Sequence, residues 1–371
     1  MLEVAPKIKT LVPYVTGKPI EETQREYGIK KVIKLASNEN PLGASPKVYS
    51  ALKKALKQKL HLYPDGACFE LKKSYSKIFG FKTEELVFGN GSDELMGLLL
   101  QAYCQPGDSV VTFQNSFVAF KISAQAHCLN TFEIKIKGDL QYDVEALILF
   151  IKNDWTPKHK FIYLANPNNP TGAYITREQM KALVDAVLLR RDLILVIDEA
   201  YLEFVRANDY GYAEKFLKTC PNLVLLRTMS KAYGLAGLRV GILIGNPQVI
   251  EPVAKVRTPF SVNGLAQVAG VAALSDPNHV KKSVKLAWAG IEYYNSELKK
   301  MGLKVYPSQG NFVLFDCGRD VSGIFESLLK RGLILRPLKN YGLNNLIRLS
   351  VGTMKNNKFA ISAIKKVLAK G

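Results

Sequence analysis

Leu193-Ile-Leu-Val-Ile-Asp-Glu-Ala-Tyr201 is the stretch that decides the fold. Five consecutive apolar residues leave no polar face, so the run reads as a strand covered on both sides, as in a parallel sheet between helical layers. Upstream, Met180–Arg191 reads as a helix, and Thr176 with Gln179 forms a capping box ahead of it. Before that helix lies a second apolar run, Phe161–Ala165, and after Tyr201 come two more, Leu223–Arg227 and Val240–Gly245. Leu86–Phe88 and Ser109–Phe113 extend the series toward the N-terminus. Strand–helix–strand alternation from Leu35 to Ala273 predicts an α/β layer structure on a mostly parallel sheet.

The flanks differ in texture. Residues 1–34 read as an arm, because Pro6, Pro13 and Pro19 interrupt helical patterning. After about Asp276 a long helical stretch, Val280–Lys300, precedes Lys304–Tyr306, Asn311–Phe315, helical Ser322–Lys330, Leu333–Arg336 and Leu346–Val351. A basic amphipathic helix, Asn356–Leu368, closes the chain. The expected division is an arm over 1–34, a large domain over 35–275, and a smaller α+β domain over 276–371 joined by part of the N-terminal segment.

Composition narrows the function classes. The 371 residues are 47% hydrophobic and 22% charged, as in an ordinary soluble globular protein. No apolar run reaches the ~20 residues that span a bilayer, and MLEVAPKIKT lacks a secretory apolar core, so a cytoplasmic protein without a membrane partner is expected. Five scattered cysteines and four histidines show no disulfide or metal-ligand spacing, so no metal is expected. The 51 basic and 32 acidic residues leave +19, which raises nucleic acid as a partner. The excess is spread as lysine, however, and its densest stretch (Lys53, Lys54, Lys57, Lys59) reads as the solvated face of a helix. Small anionic substrates explain the charge without nucleic acid.

Ligands of open α/β sheets sit beyond the carboxyl ends of the strands. Four strand ends here carry polar groups of different kinds. Asn166-Pro-Asn-Asn169-Pro-Thr-Gly172 offers an amide, Asp198-Glu-Ala-Tyr201 a carboxylate and a phenol, and Thr228-Met-Ser230-Lys231 hydroxyls and an amine. Gly89-Asn-Gly91-Ser92-Asp93-Glu94 opens a helix and suits one phosphate, with Asp93 as a cap. Singly, each has a structural reading as a turn, a cap or a surface lysine. Together they supply what pyridoxal phosphate requires, an amine for a Schiff base and a carboxylate for a protonated pyridine nitrogen.

Ser230-Lys-Ala-Tyr-Gly-Leu-Ala-Gly-Leu-Arg-Val-Gly241, with Asp198-Glu-Ala-Tyr201 and Asn166–Gly172 upstream, resembles the fold-type-I pyridoxal-phosphate aminotransferases across essentially the whole chain. Lys34-Leu-Ala-Ser-Asn-Glu-Asn-Pro-Leu-Gly43 and Leu11-Val-Pro-Tyr14 are similar to the histidinol-phosphate branch of that family. The resemblance implies a fold-type-I transferase in histidine biosynthesis, with Lys231 as the Schiff-base and proton-shuttling residue. It implies Asp198 at the ring nitrogen, and Tyr201 and Asn169 at the ring oxygen. Gly91, Ser92, Thr228, Ser230 and Arg239 fall at the cofactor phosphate. Phe117 falls where relatives stack an aromatic on the ring, and Tyr63 matches a tyrosine that reaches the phosphate across a homodimer interface.

On the substrate side the resemblance implies Arg348, Arg336, the arm's Tyr14 (reaching over from the partner subunit) and Asn38. Arginine forks suit both the carboxylate of glutamate and the phosphate ester of histidinol phosphate. An aromatic amino-acid aminotransferase and a decarboxylase of phosphorylated threonine are the alternatives on the same fold.

Overall fold

The computed structural model describes residues 3–14, 17–57 and 60–369. Its main sheet has seven strands: β2 (Leu86–Asn90), β3 (Ser109–Phe113), β4 (Asn130–Ile134), β5 (His159–Ala165), β6 (Ile194–Asp198), β7 (Leu223–Thr228) and β8 (Val240–Gly245). They run in the order β2-β8-β7-β6-β5-β3-β4. The pairs from β7 through β6, β5 and β3 to β4 are parallel, and β8 is antiparallel to both of its neighbours. The apolar runs of β5, β6 and β7 are buried end to end, and each fully buried Leu, Ile or Val side chain contributes roughly 1.5–3 kcal/mol. Two apolar clusters, one on each face of this sheet, form the core.

A four-stranded antiparallel sheet follows in sequence, with β9 (Lys304–Tyr306), β10 (Phe312–Asp316), β12 (Arg336–Leu338) and β13 (Leu343–Ser350) in the order β12-β13-β10-β9. The helices Pro277–Lys300, Ser322–Leu329 and Met354–Leu368 pack on its apolar face. A short strand near the N-terminus, β1 (Ile33–Lys34), pairs in parallel with β11 (Leu333–Ile334), and Leu35 joins the apolar cluster of that second sheet.

The helix expected over Met180–Arg191 runs over Arg177–Val187, and three further details differ from the sequence reading. Strand β4 was not anticipated, because it is an edge strand of Asn, Thr and Glu among two apolar residues and leaves most of its side chains in solvent. The arm does form helices, Pro6–Lys9 and Ile20–Tyr27. Pro6 stands in the first turn and Pro19 at the N-cap, where a missing N–H costs nothing, so these prolines start helices rather than break them. Lys53 and Lys54 lie on the helix Pro46–Ala55, whereas Lys57 lies past its end and Lys59 lies outside the described residues. The capping box at Thr176 is formed as expected, ahead of the helix Arg177–Val187.

Candidate active site

The carboxyl ends of β5, β6 and β7 open into one cavity of about 570 Å³. Its walls bring together Asn169, Asp198, Tyr201, Thr228, Ser230, Lys231, Arg239, Ser92, Phe117, Asn38, Tyr14, Arg336 and Arg348. Four separate strand ends, the arm and the small sheet therefore converge, as the crevice rule for α/β sheets requires.

Asp198 is the last residue of β6 and is buried. Its two oxygens accept from neutral donors, the Tyr163 hydroxyl at 2.6 Å and the Ala200 N–H at 3.0 Å. Burial pushes its carboxyl up to about 6; these two hydrogen bonds pull it down, and the nearby Asp93 and Glu199 charges push it further up. A buried carboxylate with only neutral partners is a site for a cation. Tyr163 was not anticipated. It sits within the apolar run of β5, and only the rule that a fully buried tyrosine hydroxyl needs a partner marks it.

Asn166–Gly172 is held by its own side chains. Asn166 Oδ1 accepts from the Ile175 N–H at 2.9 Å, and Asn168 Nδ2 donates to Thr171 Oγ1 at 2.8 Å and to the Asn115 carbonyl at 3.0 Å. That leaves Asn169 for the cavity, where its Oδ1 accepts from Arg348 Nη1. Lys231 follows β7, donates to the Ser37 carbonyl at 3.2 Å, and places its amine 5.8 Å from the Tyr201 ring centroid. Thr228 Oγ1 and Ser230 Oγ are 2.9 Å apart, and both residues are buried.

The helix Ser92–Tyr103 starts at the same cavity. The Gly91 N–H donates to the Gly89 carbonyl and the Asn90 N–H to Glu94 Oε2, so Ser92 and Asp93 are the residues at the helix start that line the cavity. Gly91 takes φ +84°, a conformation that side-chain-bearing residues rarely adopt, and the Arg239 guanidinium lies where a Cβ would be. A Cβ on Gly241 would strike the Gly91 and Ser92 backbone. Asp93 is not a cap, as the sequence suggested. It accepts from Arg239 Nη2 at 3.0 Å, and both partners are exposed enough that the pair is worth about 0–1 kcal/mol. So weak a bond leaves Arg239 able to turn to a phosphate.

Arg336 on β12 and Arg348 on β13 are direct cross-strand partners, and both are buried. Like charges in that register destabilise a sheet. Their contacts are neutral: Arg348 Nη2 donates to the Ala36 carbonyl, and the Arg336 guanidinium lies 5.5 Å from the Tyr14 ring centroid. Burial lowers Arg348 below the usual arginine range, and the Arg336 charge adds to that. Two buried guanidiniums facing one cavity have the chemistry to hold an anion.

Tyr14 lies over the Arg336 guanidinium of its own chain. Asn38 lines the same cavity, and its side chain is held by protein atoms, with Nδ2 donating to the Tyr201 hydroxyl at 2.9 Å and Oδ1 accepting from Ser350 Oγ at 2.6 Å. Tyr63 does not line this chain's cavity. It is 83% exposed and stacks on Phe260, with ring centroids 4.6 Å apart.

The pattern of the family described as aminotransferase class I and II matches residues 30–364. The chain belongs to that family. It is 46% identical over 367 residues to the histidinol-phosphate aminotransferase of Bdellovibrio bacteriovorus, with 99% of this chain and 98% of the relative covered. The corresponding protein of an Anaeromyxobacter species is 42% identical, with 98% and 99% covered. Among solved structures, histidinol-phosphate aminotransferase from Sinorhizobium meliloti in complex with pyridoxal-5'-phosphate superposes with a TM-score of 0.89 at 28% identity, covering 100% of this chain and 98% of the other.

Proposed function

We propose that this protein is a pyridoxal-phosphate-dependent aminotransferase of histidine biosynthesis. It interconverts histidinol phosphate and 2-oxoglutarate with imidazole-acetol phosphate and glutamate. The observation that carries the reading is the meeting of three features in one cavity: the Lys231 amine, a buried Asp198 without a counter-cation, and the facing pair Arg336 and Arg348.

The donor set fits the cofactor. Lys231 supplies the attachment amine, and Asp198 supplies an anion where a pyridinium needs one. Ser92 at the helix start, the hydroxyls of Thr228 and Ser230, and Arg239 would hold a phosphate beside them in the cavity they line. Tyr201 and Asn169 would hold the ring oxygen, and Phe117 would cover the ring face. When bound, pyridoxal phosphate supplies an electron sink for the substrate's α-carbon.

The chain's own residues do the rest. Lys231 accepts and returns the proton at that carbon. Asp198 stays ionised beside a cation, which reverses the upward push that burial gives it. Arg336 and Arg348 grip carboxylate or phosphate, so one site serves both half-reactions. The Tyr14 ring covers Arg336 and keeps water from it.

We further infer a cytoplasmic homodimer acting on small anions rather than nucleic acid. The enzyme's place in amino-acid synthesis and the absence, among the described residues, of any helix long and apolar enough to cross a membrane support the location. The exposed stacked pair Tyr63 and Phe260, with exposed Leu60 and Leu62 adjoining Tyr63 in sequence, supports a second copy seated there, with Tyr63 reaching the partner's phosphate site. The division into an arm (1–34), a large unit (35–275) and a small unit (276–371) follows the two sheets, and the β1–β11 pairing supports joining the end of the arm to the small unit.

The test presents the holoenzyme separately with histidinol phosphate, phenylalanine and threonine phosphate, each with 2-oxoglutarate. Glutamate formed selectively from histidinol phosphate is the expected result. Glutamate from phenylalanine alone, or carbon dioxide from threonine phosphate, would replace this reading with the aromatic transaminase or the decarboxylase.

A further inference from the structure

Ser350, Asn38 and Tyr201 come from three distant parts of the chain and form one buried hydrogen-bonded line, each residue at most 3% exposed. Ser350 ends β13, Asn38 lies in the link after β1, and Tyr201 follows β6. The Asn38 N–H donates to Ser350 Oγ at 2.9 Å, and Ser350 Oγ donates to Asn38 Oδ1 at 2.6 Å. Asn311 Nδ2 fixes the Asn38 carbonyl at 3.0 Å. Asn38 takes φ +55°, a left-handed conformation that Asn and Asp tolerate best among residues with side chains.

The line has a direction. Ser350 Oγ already accepts one N–H, so its own proton needs an acceptor, and Asn38 Oδ1 is the one in reach. Turning the amide over would leave that buried hydroxyl without an acceptor, at about 1–3 kcal/mol. The amide is therefore held with Nδ2 toward Tyr201, where it donates at 2.9 Å. Tyr201 oxygen is thereby an acceptor on its protein side, and its own proton is left to be given to an acceptor in the cavity it lines.

We infer that Asn38, locked by Ser350, is a positioning residue that fixes the direction of the Tyr201 hydroxyl so that it donates to the cofactor's ring oxygen. This rests on the assignment of Tyr201 to that oxygen under the proposed function. Ser350 stands two residues beyond Arg348 on β13, so the two side chains share a face of the strand that also grips substrate.

The experiment is a pH titration of the bound cofactor's visible band in the wild-type holoenzyme, Asn38→Asp, Tyr201→Phe, the double variant and Ser350→Ala. A donor to the ring oxygen competes with the proton that the titration follows, so losing it raises the midpoint. Asn38→Asp keeps the backbone conformation but makes the side chain an acceptor that takes the Tyr201 proton. Its midpoint is expected to rise by ~1 pH unit, a tenfold change in proton affinity, toward that of Tyr201→Phe. Ser350→Ala, which lets the amide turn, is expected to rise by less, and it carries the test if Asn38→Asp does not fold. The double variant is expected to match Tyr201→Phe alone, because the effect runs through the phenol. A rise of Asn38→Asp that adds in full to that of Tyr201→Phe would mark a plain charge effect and overturn the inference. An unshifted Asn38→Asp beside a shifted Tyr201→Phe would overturn it while leaving the cofactor assignment standing. A wild-type protein with no visible band after addition of pyridoxal phosphate would overturn both.

Discussion

Asp198 and Glu199 are consecutive buried carboxylates at the end of β6, and the fold treats them in opposite ways. Glu199 is neutralised within the protein. Arg227 on β7 donates from Nε to Glu199 Oε2 and from Nη2 to Glu214 Oε2, both at 2.7 Å. Among the described residues, the Asp198 side chain has only a phenol and an N–H as partners. Burial pushes both acids up; at Glu199 the adjacent guanidinium counters that push, whereas at Asp198 only hydrogen bonds do. A protein that buries one charge with its partner and the next without one has built a structural pair beside a binding site. The small sheet repeats the second case, with Arg336 and Arg348 facing each other and making neutral contacts.

The largest effect belongs to the amine that shares the cavity with Asp198. Lys231→Ala should lower transamination by at least ~10²–10⁴-fold, the range of a lost general acid–base group, with circular dichroism and melting unchanged. Turnover within tenfold of wild type would remove Lys231 from the mechanism. Arg227→Met should turn Glu199 into a second lone acid. The expected cost is about 3–5 kcal/mol of stability by denaturant titration, while turnover per folded molecule stays near wild type. A loss of turnover without a loss of stability would erase the distinction between the two acids.

Asp198→Asn should lower turnover by ~10–10³-fold, since a carboxylate beside a cation shifts its proton affinity by about 1–3 pH units. Steady-state rates at saturating cofactor check this. Arg336→Met should raise KM for histidinol phosphate by ~10-fold or more, the loss of a charged hydrogen bond of about 1.5–3 kcal/mol, with a smaller change in kcat. Equal losses in kcat and KM would assign Arg336 to the chemistry instead.

The Asp198 side of this contrast was legible in the sequence, and the Arg227–Glu199 pair was not. Asp198 and Lys231 could be found because each ends or follows an apolar run whose burial is a local property. The seven-stranded sheet was legible except for β4, an edge strand too polar to show a pattern. What stayed hidden depends on contacts between distant segments. That Arg336 and Arg348 are opposite each other follows from the β12–β13 register, which neither stretch encodes alone. The Asn38–Tyr201 bond spans 163 residues, and nothing local in either stretch announces it. Tyr163 was concealed by the strand that buries it.

The most direct measurement compares the stability of wild type and Asp198→Asn at pH 8, with and without pyridoxal phosphate. In the cofactor-free protein Asp198 binds its proton more tightly folded, near 6, than unfolded, near 3.8, so it lowers stability as pH rises between those values. The shift amounts to roughly 3 kcal/mol, less about 1 for the hydrogen bond that Asn cannot replace. Asp198→Asn is therefore expected to be more stable than wild type without cofactor, by about 2 kcal/mol, and less stable than wild type once cofactor saturates both. A variant that is less stable in both states, by the same amount, would show that Asp198 is a structural acid like its neighbour and contradict the account.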